Sequence, residues 1–323
     1  MGLAVTHPDK LLFPADGITK GELCAYYEAV AALMLPHVAG RPVTMERYPA
    51  GIDKKGFIQK DVSKGFPDWL QRVETSKRTA SGADDDRVHY PLANDARSLL
   101  WLANQNSITP HVWTSRVPKL NQPDVCVFDL DPSQDRPAEL RAAALAVRDL
   151  LAELGLTSFV KTSGSKGFHI LTALDGEADF EAVRRFAHGA GAVLVKRHPA
   201  LFTQEFIRAD RDGRIFVDTG RNGYGATFAA VYAVRPKPGA PVSAPCTWPE
   251  LDSGAVGPQT FTLRTISARI AEVGELWRDM YDRPHSLRDA TAGLERFLTD
   301  EDWKEAAAAS TRRPVSRKRT PGK

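Results

Sequence analysis

The sequence predicts a mixed α/β (α+β) body, because strand-like and helix-like periodicities alternate along most of its length. Three stretches carry that prediction. An apolar run over 125–128 closes on Asp129-Leu130-Asp131-Pro132, an amphipathic stretch follows over 137–154, and two more strand-like runs, 157–162 and 168–174, flank a Ser/Gly turn. No internal repeat is visible.

The elements can be justified in order. Residues 21–39 place Leu23, Tyr26, Tyr27, Val30, Leu33 and Leu35 at near-helical spacing, with Pro36 and Gly40 marking the end. Lys54-Lys55-Gly56-Phe57-Ile58-Gln59-Lys60 interleaves bases with apolar residues, which suits an edge strand and a nucleic-acid surface equally. Residues 99–103 belong to a helix capped near Asn94 or Asp95. The 137–154 helix sets Leu140, Ala144, Val147, Leu150 and Leu151 on one side, with Gly155 beyond its end. Residues 179–196 are helical again. Residues 214–218 form a strand running into the glycine-rich turn Gly220-Arg221-Asn222-Gly223-Tyr224-Gly225. Short helical stretches around Leu294 and Trp303 then lead through an alanine run into a basic tail. The expected division is a catalytic body over 1–285, a helical extension over 286–310 and a disordered tail over 311–323.

A chain of 323 residues, 42% apolar and 26% charged, can bury a substantial core. It has no apolar run of membrane-spanning length and no secretory start, so neither a membrane nor export is expected. The opening Met1-Gly2-Leu3-Ala4-Val5-Thr6 fits the loose N-myristoylation pattern, but no second membrane signal accompanies it. Cys24, Cys126 and Cys246 lie far apart and odd in number, which points to a reducing cytoplasm and away from zinc. The net charge of +3 hides an asymmetry: residues 311–323 hold six bases and no acid, leaving −3 on the remainder. Any nucleic-acid surface on the body is therefore a local patch.

Three segments carry chemistry. A strand alternates its side chains, so Asp129 and Asp131 project from one face, a costly placement at the end of an apolar strand unless a cation or protons neutralise it. The bland alternative is a solvated Asp pair or a helix cap before Pro132. In Thr162-Ser163-Gly164-Ser165-Lys166-Gly167-Phe168-His169, glycines bring backbone N–H groups close to an anion while the serines and Lys166 add donors and charge. This suits a triphosphate, although it is not a Walker loop, and a surface turn looks much the same. In Arg211-Asp212-Gly213-Arg214-Ile215-Phe216-Val217-Asp218 a second apolar strand ends in a carboxylate. Asp218 can complete a triad with Asp129 and Asp131 suited to two divalent ions, and Arg211, Arg221 and Arg235 are near enough in sequence to meet a phosphate.

Residue chemistry alone leaves a haloacid-dehalogenase-like phosphatase and a metal-dependent glycosyltransferase open. Pro132 and the lack of a downstream acidic pair weigh against the first, and the unexplained Ser-Gly-Ser-Lys-Gly-x-His segment weighs against the second.

Taken in order, Asp-Leu-Asp-Pro, Thr-Ser-Gly-Ser-Lys-Gly-x-His and Val-Asp resemble the polymerase domain of bacterial DNA ligase D, a primase-polymerase of the archaeo-eukaryotic primase superfamily. The likeness extends from Thr6-His7-Pro8-Asp9-Lys10 through Phe13-Pro14, Gly17-Ile18-Thr19-Lys20 and Gly40-Arg41-Pro42 to Ala244-Pro245-Cys246-Thr247-Trp248. The resemblance implies a primase-like fold whose mixed sheets form a central catalytic cleft. It implies Asp129, Asp131 and Asp218 as ligands of two catalytic Mn²⁺ or Mg²⁺ ions, and His111, Ser163, Ser165, Lys166, Arg211 and Arg235 around the incoming nucleoside triphosphate. Lys10 and Lys20 would hold the 5′-phosphate of the downstream strand at a gap or break, and Phe57 would contact DNA. Three positions depart from the family pattern. His7 stands where Asn is usual, Ile58 replaces a second aromatic, and Arg221 stands where glutamine is frequent.

The implied activity is template-directed gap filling in end joining or excision repair, with ribonucleotides preferred, in a bacterial cytoplasm and associated with the nucleoid. Ku and an ATP-dependent DNA ligase are the implied protein partners. No ligase or nuclease motif is present, which leaves a stand-alone member or an excised domain, and the stretch beyond Pro284 favours the stand-alone expectation. A non-catalytic DNA-end scaffold is the alternative from another functional class.

Overall fold

The computed structural model describes residues 3–62, 65–76 and 87–304. The 311–323 tail, the last six residues of the expected extension and the first two of the myristoylation pattern lie outside them. The first half forms β1 (Leu11–Phe13), β2 (Ile18–Thr19), α1 (Lys20–Val38), β3 (Val43–Arg47), β4 (Phe57–Gln59), β5 (Arg72–Ser76), β6 (Arg87–Pro91), α2 (Ala96–Asn104) and β7 (Ser107–Val112). The chain continues through β8 (Val125–Pro132), α3 (Pro137–Glu153), β9 (Phe159–Thr162), β10 (Phe168–Ala173), α4 (Phe180–Arg197), β11 (Phe202–Thr203) and β12 (Ile215–Asp218). Shorter pieces follow: β13 (Phe228–Ala229), β14 (Ala233–Val234), β15 (Val242–Ser243), β16 (Pro245–Cys246), α5 (Trp248–Ser253), α6 (Ile266–Val273) and α7 (Leu287–Leu294).

Two sheets organise the body. The larger runs β11-β12-β8-β10-β9-β16, with β8 antiparallel to both neighbours. The smaller runs β13-β7-β3-β4 and is antiparallel throughout. β8 sits centrally because residues 125–128 are buried on both faces, with α3 and α4 packed against it. Only at Asp129 does alternation resume: both acids are partly exposed while Leu130 between them is fully buried.

α1 starts at a capping box in which Thr19 and Glu22 each satisfy the other's backbone N–H. Its buried face carries Leu23, Tyr26, Tyr27, Val30 and Met34, and each such side chain contributes about 1.5–3 kcal/mol on burial. The phenols are also paired: Tyr26 donates to the Tyr232 carbonyl and Tyr27 to that of Ile108, each at 2.6 Å. Tyr27→Ala would lose this bond and leave a cavity beneath β7. The helix runs through Pro36 to Val38, close to the expected 21–39, and Gly40 follows with φ +75°. α2 is capped by Asp95, whose side chain accepts from Ser98 N–H. Beyond α7 the chain returns to α4, where the Trp303 ring lies so close to Gly189 that a side chain there would meet it at 2.9 Å.

No helix among the described residues is long and apolar enough to cross a membrane.

Candidate active site

Asp129 and Asp131 leave β8 on one face, as period-two alternation requires. Antiparallel pairing then places Asp218 of β12 directly opposite Asp129, Cα partner to Cα partner, and Phe216 opposite Asp131. On the other side β10 sets His169 against Asp129, its Nε2 3.4 Å from Oδ1. One residue is therefore flanked by an acid and a histidine from two strands.

The three carboxylates are held by arginines. Arg221 spans two of them, Nε to Asp129 Oδ2 at 3.2 Å and Nη2 to Asp218 Oδ2 at 3.2 Å. Asn222 fixes the turn that presents it by pairing with both backbone groups of Val127, at 2.8 and 2.7 Å. Asp131 pairs instead with Arg211, 3.1 Å away. Burial pushes the Asp129 carboxyl up to about 6, with Arg221 opposing the shift and Asp218 and Asp131 adding to it.

The 162–169 turn forms the opposite wall. Ser163 Oγ accepts N–H groups from Ser165 and Gly167, both at 3.1 Å, which leaves its own proton free to donate. Gly167 permits this closure, since a Cβ there would fall 1.6 Å from the Leu130 carbonyl oxygen. At Gly164, φ is +61° and the Arg235 side chain packs where a Cβ would stand. Arg235 Nη1 donates to the Ser163 carbonyl at 3.2 Å, while its Nε is buried without a partner. Lys166 is exposed at the rim.

The smaller sheet closes the cleft with His111, Phe228 and Ala229. His111 Nε2 lies 2.9 Å from Glu46 Oε2, and Glu46 also accepts from Tyr48 at 3.0 Å. Burial lowers the His111 pKa against the pull of Glu46, keeping the ring neutral. The cavity, about 220 Å³, is thus lined by Asp129, Asp131, Asp218, His111, Ser163, Ser165, Lys166 and Arg235 together. Arg211 is not part of that lining: it is 5% exposed, held by the Glu205 and Phe206 carbonyls at 2.9 Å and stacked on Phe216. Its contact with the three carboxylates is the Asp131 ion pair.

Lys10, Lys20 and Phe57 lie apart from this cleft. Lys20 N–H donates to the Lys10 carbonyl at 2.8 Å, so the two lysines are neighbours. Lys10 is exposed, whereas Lys20 is 3% exposed with its ammonium on Thr6 Oγ1 at 2.8 Å. Burial lowers the Lys20 pKa, and the charges of Lys10 and Arg47 lower it further. Phe57 lies exposed on edge strand β4, with the Arg47 guanidinium 5.3 Å from its ring centre.

Sequence reasoning missed Glu46, Arg47 and Lys161. Lys161 is fully buried behind the cleft, donating to the Ala229 carbonyl at 3.0 Å and to Ser243 Oγ; burial holds its pKa far below the ordinary lysine range. Its only signal was a lysine inside the Phe159–Thr162 strand, whose last three residues are all buried.

Residues 19–277 match the family described as LigD, primase-polymerase domain. This chain belongs to that family. Among its LigD relatives, the multifunctional non-homologous end joining DNA repair protein LigD of Mycobacterium tuberculosis is 36% identical over 315 residues, covering 92% of this chain and 40% of that protein. LigD of Pseudomonas aeruginosa is 34% identical (86% and 33% covered), and the bifunctional LigD of Bacillus subtilis 32% (87% and 44%). The chain therefore spans about two-fifths or less of the length of most of these relatives. A solved LigD structure, the polymerase domain from Mycobacterium tuberculosis ligase D in complex with DNA, superposes with a TM-score of 0.81 at 35% identity, covering 88% of this chain and 99% of that one. The fold is thus that of the LigD polymerase domain, as the sequence motifs implied. The phosphatase and glycosyltransferase alternatives lose their support.

The donor set fits a hard divalent cation: three carboxylates lie on one sheet face, and a single guanidinium bridging two of them offsets only part of their charge. As they stand, however, no three Asp, Glu, His or Cys side chains among the described residues converge closely enough to hold an ion. Arg221 and Arg211 occupy their oxygens instead.

Proposed function

We propose that this chain is a template-directed nucleotidyltransferase that fills short gaps bearing a 5′-phosphate at broken or excised DNA. Asp129, Asp131 and Asp218 would hold two Mn²⁺ or Mg²⁺ ions. The observation carrying this reading is the register pairing of Asp129 with Asp218 in the same cleft as Ser163, Lys166 and Arg235. Support also comes from relatives named for non-homologous end joining and from a structural neighbour bound to DNA.

When bound, the divalent ions supply activation of the primer 3′-hydroxyl and charge for the departing pyrophosphate. The chain's own work is positioning and electrostatics. The Ser163 hydroxyl, Lys166 and Arg235 offer donors and positive charge to the triphosphate, and the rigid 162–169 turn fixes their spacing. Neutral His111, with Nε2–H directed to Glu46, presents Nδ1 as an acceptor for a hydroxyl of the nucleotide sugar, which favours ribonucleotides. Lys10 takes the 5′-phosphate of the downstream strand, with neighbouring Lys20 adding its charge from beneath, and Phe57 packs against DNA. In the cell this activity works beside Ku and an ATP-dependent ligase, in the cytoplasm at the nucleoid.

Primer extension on a gapped duplex tests the reading. The native protein should extend, and Asp129→Ala or Asp131→Ala should reduce the rate by about 10³-fold or more while DNA binding persists. Full activity of either variant would overturn it. Competition between the two sugar types checks the ribonucleotide preference.

A further inference from the structure

We propose that Arg221 is a built-in placeholder for the metal: its guanidinium bridges Asp129 and Asp218, leaves when a divalent cation binds, and then meets the phosphates of the nucleotide. The inference rests on the metal-dependent reading above.

Four observations carry it. First, a single guanidinium reaches one oxygen of each of two carboxylates that face each other across β8 and β12, each contact 3.2 Å. Two mostly buried acids in that relation cannot both ionise at low cost without a cation between them. Second, the guanidinium sits on the very oxygens a cation would use. Asp218 Oδ1 accepts Gly220 N–H at 2.8 Å, which leaves Oδ2 for Arg221, and Arg221 also takes Asp129 Oδ2. A dication at these oxygens and a guanidinium on the same atoms would repel each other within a few ångströms. One must yield.

Third, the arginine is the part built to move. Its side chain is 42% exposed, against 16% and 18% for the two carboxylates, so it enters from the solvent side and can leave without disturbing the core. Its backbone is pinned by the neighbouring Asn222 bonds to Val127, which confines the motion to side-chain torsions. Arg211 differs on every count, being buried, clasped by two carbonyls and stacked on a ring. Fourth, Arg221 lines the same cavity as Lys166 and Ser163, so a displaced guanidinium has phosphate oxygens within the space it already occupies. Metal and nucleotide should therefore each favour the other, because the nucleotide accepts the charge that the metal ejects.

Mn²⁺ binding measured by the loss of free-ion electron paramagnetic resonance signal tests this without any catalysis. Arg221→Gln should bind Mn²⁺ about tenfold more tightly than the native protein in the absence of nucleotide. The gain in native Mn²⁺ affinity on adding a non-hydrolysable nucleoside triphosphate should shrink in that variant. Arg221→Lys, which keeps the charge but loses the fork, should fall between the two. Equal or weaker Mn²⁺ binding by Arg221→Gln, with native binding abolished by Asp129→Asn, overturns the placeholder alone. Native Mn²⁺ binding that survives Asp129→Asn overturns the metal site and the placeholder with it.

Discussion

Asp218 lies directly across the sheet from Asp129, and one arginine side chain joins them. The register of two antiparallel strands thereby brings together acids 89 positions apart in sequence, which a shift of one residue would send to opposite faces. Burial first, and then that adjacency, set the energetics of the site.

Asp129 retains its proton to about pH 6 in the folded protein, whereas an unfolded chain releases it near about 3.9. Between those values the folded state binds more protons, so this group's contribution to stability falls as pH rises from about 4 to about 6 and stays lost above. Asp129→Asn should therefore match the native protein at pH 4 and exceed it by on the order of 2 kcal/mol at pH 7.5. Urea unfolding in chelator at both pH values is the check; a difference that does not change with pH would refute it.

Gly167→Ala should destabilise the fold by about 3 kcal/mol or more, because the new methyl would fall 1.6 Å from the Leu130 carbonyl and force β8 from the 162–169 turn. Denaturant titration measures the loss, and unchanged stability would show that the turn is free to shift.

Glu46 orients His111 through a 2.9 Å contact. Burial would push the Glu46 carboxyl up, but hydrogen bonds from His111 and Tyr48 and the charge of Arg235 hold it below the usual value. Glu46→Gln should raise the KM for nucleotide by about three- to tenfold with little change in DNA affinity. Equal KM values in steady-state extension would separate Glu46 from nucleotide binding.

At the second basic site, Lys10→Ala should weaken binding to a gap with a 5′-phosphate and flatten the salt dependence by about one unit of slope. Fluorescence anisotropy across a salt series reads both quantities. A native protein with equal affinity for gaps with and without that phosphate would remove the site. Lys20→Ala should in addition loosen the N-terminal segment, since its ammonium donates to Thr6.

The long helices and the Asp strand were legible because period 3.6 and period 2 dominate where one face is buried. α3 spans Pro137–Glu153 and α4 spans Phe180–Arg197 with Asp179 as cap, close to the expected 137–154 and 179–196. The stretch around Phe57 resolves as edge strand β4 with Phe57 and Ile58 exposed, so it keeps the surface that its basic and aromatic residues suggested. β3 and β7 were not legible. β7 carries Pro110 in its interior, which local propensity reads against a strand; the sheet accepts it, and the Pro110 carbonyl takes the Ala230 N–H at 3.1 Å. Glu46 and Arg47 were hidden with them.

By itself the sequence determined the strand bearing Asp129 and Asp131, the 162–169 glycine turn, and the family to which those motifs belong, because alternation, turn chemistry and motif order are local properties of the chain. Only tertiary structure decided which charges meet. Arg221 went to Asp129 and Asp218, Arg211 to Asp131, and Lys161 and Lys20 into the interior. Pairing between charges distant in sequence depends on sheet register and on the cost of leaving a buried charge uncompensated, and neither is written in the residues on either side of it.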